Sequence, residues 1–207
     1  PGGLQTRPYH DVNADPAQAR AMIGARQGGM GGLLERGRGG RAAARRREEG
    51  FAHLAAGRHA EAIVALSEVI ARHPGDAPAH YGRAQALIAS GRADEALADL
   101  DRAIALDPGA APPFRARGLL RRKLGRADEA LADLDRAVAL APGDLAALQD
   151  RAMTHRLAGR FDAALADYTA ALALAPDDPD IWHARGICHR KRGDEALAGL
   201  RRAGLVG

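Results

Sequence analysis

Cysteine is nearly absent from this chain of 207 residues: Cys188 stands alone, which excludes an internal disulfide framework and any zinc site built from several thiolates. Aromatic residues are scarce as well, at 3%, so burial has to come from many small, close contacts rather than from large rings. Long apolar runs are missing. No window approaches the ~18 consecutive apolar residues of a membrane helix, and the N-terminus has no charged start followed by an apolar stretch. The chain therefore reads as soluble and, with no need of an oxidising compartment, as cytoplasmic. Pro1, where an initiating Met would stand, leaves a removed leader open.

What is present is mostly alanine, leucine, arginine and acids, within an apolar share of 46%. These are strong or tolerable helix formers, and the composition fits helices packed tightly on helices. The length suits one domain, or one domain with an extension. A pI of about 9.8 suggests an anionic partner until the charge is located. Residues 1–50 hold 9 Arg against 5 acids, whereas residues 51–207 hold 21 basic and 21 acidic side chains. The whole excess lies in the first 50 residues.

Two stretches nearly duplicate each other: GRADEALADLDRAIALDPG at 91–109 and GRADEALADLDRAVALAPG at 125–143. In the first, Ala96, Leu97, Leu100, Ala103 and Ile104 fall on one stripe of a 3.6-residue helix. Asp94 and Glu95 sit in its first turn, where the helix dipole favours carboxylates, and Asp107-Pro108-Gly109 ends it. The same period of 34 residues runs through Gly57, Gly91, Gly125, Gly159 and Gly193. Ala62, Ala96, Ala130 and Ala164 follow it, as do Pro74, Pro108, Pro142 and Pro176. Only small residues occupy a further column, Gly50, Ala84, Gly118, Ala152 and Gly186, which lets two successive helices approach closely. Each unit is helix A, a glycine turn, helix B and a proline stop.

With its small residue, glycine turn, alanine and proline at these spacings, and with Trp182 at the place of a leading tryptophan, the chain over roughly 43–207 resembles the tetratricopeptide repeat family. The resemblance implies an all-α fold, a right-handed superhelical solenoid of antiparallel helix pairs in about five units. Such units cannot bury their apolar stripes alone and are stabilised by stacking. One column departs from the family: Leu66, Leu100 and Leu134 stand where an aromatic is common in helix B, and only Tyr168 conforms.

Both ends are irregular. Residues 1–40 are read as a Gly/Arg-rich leader, with seven glycines among residues 28–40 forming a flexible link. Asp15-Pro16 before AQARAMIGARQ signals a short helix within it. The repeat domain is placed at 41–207. Its fifth unit, GDEALAGLRRAGLVG, starts its last helix two residues early and has no further amphipathic helix to cover it. A frayed C-terminal end, or one covered by a second copy as a homo-oligomer, is the expectation.

The search for chemistry is mostly negative. His53, His155 and His189 share one column, but equivalent positions on stacked helices lie ~8–10 Å apart, too far for one metal. His183, Cys188 and His189 point in different directions around one helix. No nucleophile, acid partner or phosphate loop stands out, so neither catalysis nor a metal nor any other cofactor is expected.

Charge columns are more informative. Arg83, Arg117, Arg151 and Arg185 recur in helix A, and Asp99, Asp133 and Asp167 in helix B, while the first unit has Glu49 and Ala65 there. The simplest account is an Arg–Asp tie between A and B, worth up to about 1 kcal/mol if exposed. A second basic set has no such partner column: Arg122, Arg156 and Arg190, with Lys123, Lys191 and Arg115. The resemblance implies that this face of helix A lines a concave groove, where the first two units offer Phe51, Leu54, Tyr81 and Ile88 instead. The groove is expected to be apolar first and cationic later, and to hold a protein or an extended peptide with an apolar anchor and acidic residues. The family's clamp for a C-terminal carboxylate is not expected, because Phe51 and Gln85 occupy its asparagine column. The leading reading is a non-catalytic interaction scaffold. Two others are weaker: the recognition arm of a larger enzyme or assembly, and a nucleic-acid accessory acting through RGRGGR and Arg45-Arg46-Arg47. No membrane partner is expected.

Overall fold

The computed structural model describes residues 38–202, and side chains over 42–195. The short helix expected after Asp15-Pro16 and most of the glycine-rich link lie outside the described residues.

Glycine and proline punctuation divides the described chain into nine helices: α1 (Arg38–Ala55), α2 (His59–Arg72), α3 (Ala77–Ala89), α4 (Ala93–Leu106), α5 (Ala111–Lys123), α6 (Ala127–Leu140), α7 (Leu145–Leu157), α8 (Phe161–Leu174) and α9 (Pro179–Arg202). No strand occurs among the described residues. The helices fall into two compact units, one ending at Leu106 and the other beginning at Asp107. In the first, α1 packs on α2 and on α3, α2 on α3, and α3 on α4. In the second, α5 packs on α6 and on α7, α6 on α7, α7 on α8, and α8 on α9.

The A-to-B turn shows why the glycine column is needed. Gly125 adopts φ +78, a conformation that costs an L-residue with a Cβ roughly 1–2 kcal/mol. That conformation lets the next N–H, of Arg126, reach back 2.9 Å to the Arg121 carbonyl, and Gly57, Gly91 and Gly159 make the same turn. B-to-A links end differently. Asp76 caps α3 by accepting from the Ala79 N–H, and Asp144 caps α7 by accepting from Ala146 and Ala147.

Inside each pair the small column permits close approach. A Cβ built on Gly50 would lie 2.6 Å from Leu66 Cγ, and one on Gly118 would lie 2.9 Å from Leu134 Cγ. Ala62, Ala96, Ala130 and Ala164 are fully buried, and so are Leu66, Leu100 and Leu134; Tyr168, at the equivalent place in α8, is buried too. The leucines are thus fully buried at the place where an aromatic is common in the resembled family, and the core is built with few rings.

The fifth unit differs from the expectation. Rather than starting a separate last helix early, α9 passes straight through Gly193, which has no positive φ. The cause is visible in the sequence. Between Gly125 and Ala130 stand Arg126, Ala127, Asp128 and Glu129, whereas between Gly193 and Ala196 stand only Asp194 and Glu195. Without those two residues the link is too short for a reverse turn, and strong helix formers continue the helix instead. Gly186 accordingly has nothing within 4 Å of where a Cβ would be.

Candidate binding face

The Arg–Asp columns form the expected ties, but in a different setting. Arg83 grips Asp99 with two hydrogen bonds of 2.6 and 2.7 Å, Arg117 grips Asp133 at 2.9 and 2.6 Å, and Arg151 grips Asp167 at 2.9 and 2.6 Å. All three carboxylates are buried, so the figure for an exposed pair does not apply. Removing one partner of a buried pair costs about 3–5 kcal/mol, because the other charge is stranded. Two residues not singled out in the sequence join these ties. Arg121 adds a second guanidinium to Asp133 at 2.7 Å, and buried His80 places Nδ1 3.0 Å from Asp99. His80 stands in a column with Phe114, Leu148 and Trp182, so periodicity alone marks it as apolar packing. Arg185 has no Asp partner among the described residues and instead lies over the half-exposed Trp182 ring, 5.3 Å from its centroid.

In the first unit, the candidate groove residues are more buried than their pattern suggests. Tyr81 is buried and its hydroxyl accepts from Gln85 Nε2. Phe51 packs on Gly82, where a Cβ would come within 2.6 Å of its Cε1, and it is half-buried along with Leu54 and Ile88.

In the second unit the cationic set divides. Arg115, read as one of a set without a partner column, donates from Nε to Asp150 at 2.6 Å, and both side chains are largely buried. Arg122 turns the same way, its Nη1 reaching the Asp150 carbonyl and Thr154 Oγ1 at 3.3 and 3.4 Å. Arg156 is half-buried, with Nη2 against Met153 Sδ and a buried Nε that has no partner. Lys123, Arg190 and Lys191 are exposed and make no ion pair among the described residues. One turn before each arginine of the column lies a half-buried apolar residue: Leu119, Met153 and Ile187. Spacing of i, i+3 puts each pair on one helix face. The sequence reading missed this apolar column, although its period of 34 was available. The second unit therefore has both apolar and cationic character on its A helices.

The remaining polar groups are placed as follows. Arg58 Nε donates to His53 Nδ1 at 2.9 Å, His189 is exposed, and burial holds the half-buried His155 imidazole below its ordinary range. Cys188 is buried in the core with Leu148, Tyr168 and Ile181, and that burial pushes its thiol up, away from thiolate character. His183 lies exposed on the same helix. Among the described residues no three His, Cys, Asp or Glu side chains are grouped to hold a metal, and no helix is long and apolar enough to cross a membrane. The arginine run of α1 is engaged internally: Arg45 with Glu49, Arg46 with Glu49 and Glu68, and Arg47 with Asp76.

Family models described as tetratricopeptide repeat match residues 53–120 and 116–144, and one described as TPR repeat matches 154–193. No curated protein sequence matches the chain. Among solved structures, a crystal structure of MamA aligns with TM-score 0.68 at 20% identity over 79% of this chain and 91% of its own. MamA MSR-1 aligns with TM-score 0.64 at 25% identity, over 79% and 95%. YrrB, described as a TPR protein with an unusual peptide-binding site, aligns with TM-score 0.65 at 20% identity, over 73% and 78%. At these identities the likeness is one of fold.

Proposed function

The chain belongs to the tetratricopeptide repeat family, and on that premise we propose that it is a non-catalytic scaffold whose A-helix faces hold a partner protein or an extended peptide. The observation that carries this reading is the threefold pairing on α5, α7 and α9: Leu119 with Arg122, Met153 with Arg156, and Ile187 with Arg190. A half-buried apolar side chain receives an anchor, and a guanidinium one turn away, where no group of the chain already takes it up, receives a carboxylate through paired hydrogen bonds. The partner segment is accordingly acidic and apolar. In the first unit, Phe51, Leu54 and Ile88 supply apolar contact only. YrrB, of similar fold, has a peptide-binding site, which supports the same class of partner. The phosphate-binding alternative draws on Arg45, Arg46 and Arg47, whose guanidinium groups already lie on carboxylates, and this weighs against it.

Affinity capture from a native lysate tests the reading, with wild type beside the triple variant Arg122→Glu, Arg156→Glu, Arg190→Glu. Loss of the captured protein from a triple variant that keeps its helical circular dichroism is the expected result. Equal capture by both would refute it.

A further inference from the structure

Asp150 is a buried acid of the A helices. Its place in the repeat is filled by Glu48, Gly82, Ala116 and Ala184 in the other units, so the architecture does not require an acid at this place. Yet here a buried carboxylate receives Arg115 Nε at 2.6 Å, and Arg122 approaches the same residue through its backbone carbonyl. Burial raises the Asp150 carboxyl above its ordinary range in spite of Arg115, so the fold disfavours its charged form. Exchanging such a buried pair for neutral groups is often neutral or stabilising. A carboxylate on a guanidinium is also the contact that an acidic partner would make.

We propose that Asp150 is a built-in carboxylate occupant of the cationic face, taking up Arg115 while Arg122 lies on backbone and hydroxyl oxygens, so that a partner's acidic groups are received by Arg156, Arg190 and Lys191. The inference rests on the scaffold reading above and sets its specificity. It places the acidic part of the partner on α7 and α9, because α5 is already answered from within. Asp150 acts through Arg115, as a positioning residue.

A transplant follows from the repeat. Asp150 on α7 takes up Arg115 of α5, and one repeat on the same two places are Ala184 of α9 and Gln149 of α7, so Gln149→Arg adds a free guanidinium and Ala184→Asp supplies its internal carboxylate. The experiment is fluorescence anisotropy with a short fluorescein-labelled peptide repeating Glu-Glu-Leu, titrated against folded wild type and variants at low and at physiological salt. Asp150→Asn, nearly isosteric, is expected to bind about tenfold tighter with a steeper salt dependence, the order of one released charge-assisted contact. Adding Arg115→Gln to Asp150→Asn is expected to return most of that gain. Gln149→Arg is expected to tighten binding severalfold, and adding Ala184→Asp to it is expected to return most of that gain.

Affinity unchanged in Asp150→Asn, while Arg156→Glu with Arg190→Glu still weakens binding, would overturn the role of Asp150 and leave the scaffold reading standing. Indifference of the probe to Arg156→Glu with Arg190→Glu would overturn both. Should Asp150→Asn fail to fold, Gln149→Arg with and without Ala184→Asp decides, and equal affinity of the two counts against the proposal.

Discussion

A buried carboxylate with a single guanidinium is more fragile than one with two, and the second unit contains both cases. Asp167 is held by Arg151 through two hydrogen bonds, whereas Asp133 is held by Arg117 and by Arg121. Arg151→Ala is therefore expected to cost about 3 kcal/mol in urea unfolding, and Arg117→Ala distinctly less, since Arg121 stays on the carboxylate. Equal losses would mean that the second guanidinium does not compensate. His155 offers a test of a different kind. Its imidazole is held down first by burial, so the folded state binds its proton later than the unfolded chain does. Stability from this group is present above its ordinary range and drains away as pH falls through it. Between about pH 7.5 and about pH 5, wild type should lose more stability than His155→Leu, a residue that Leu87 shows the column accepts. A variant just as acid-sensitive as wild type would contradict this. At this scale the Arg–Asp ties were legible because both columns share the period of 34. Arg115 with Asp150 and His80 with Asp99 were not, because a pair that occurs once has no period to reveal it.

At the scale of elements, glycines in one column have opposite roles. Gly125 closes a turn at φ +78, so Gly125→Ala should destabilise by about 1 kcal/mol. Gly193 lies within α9, has nothing within 4 Å of a Cβ and has no positive φ. Gly193→Ala should therefore stabilise, by about 0.5–1 kcal/mol. Urea midpoints of the two variants decide the matter, and destabilisation by both would mean that Gly193 turns like the others. Helix existence and most boundaries could be read from the sequence, since glycine, proline and the apolar stripe agree in four units. The fifth could not be read from the glycine column alone. The missing Arg-Ala after Gly193 was visible, but its consequence depends on link length, and link length decides whether a chain reverses.

For the molecule as a whole, the all-α repeat class was legible because a period repeated many times carries more information than any single motif. The proposed binding face was legible only in part. Its cations were named from their spacing, but spacing does not show which guanidinium is already satisfied, and Arg115 proved to be one of those. Nor did spacing of charges draw notice to Leu119, Met153 and Ile187, which give the second unit an apolar column of its own. Charge-based recognition has a measurable signature here: capture by the wild type should weaken as salt rises, and capture that is insensitive to salt would show that the arginines do not contribute. Hydrogen exchange read by mass spectrometry on the complex with the captured partner tests the central claim most directly. The account predicts added protection in α7 and α9, with α6 and α8 unchanged; protection confined to α6 and α8 would contradict it.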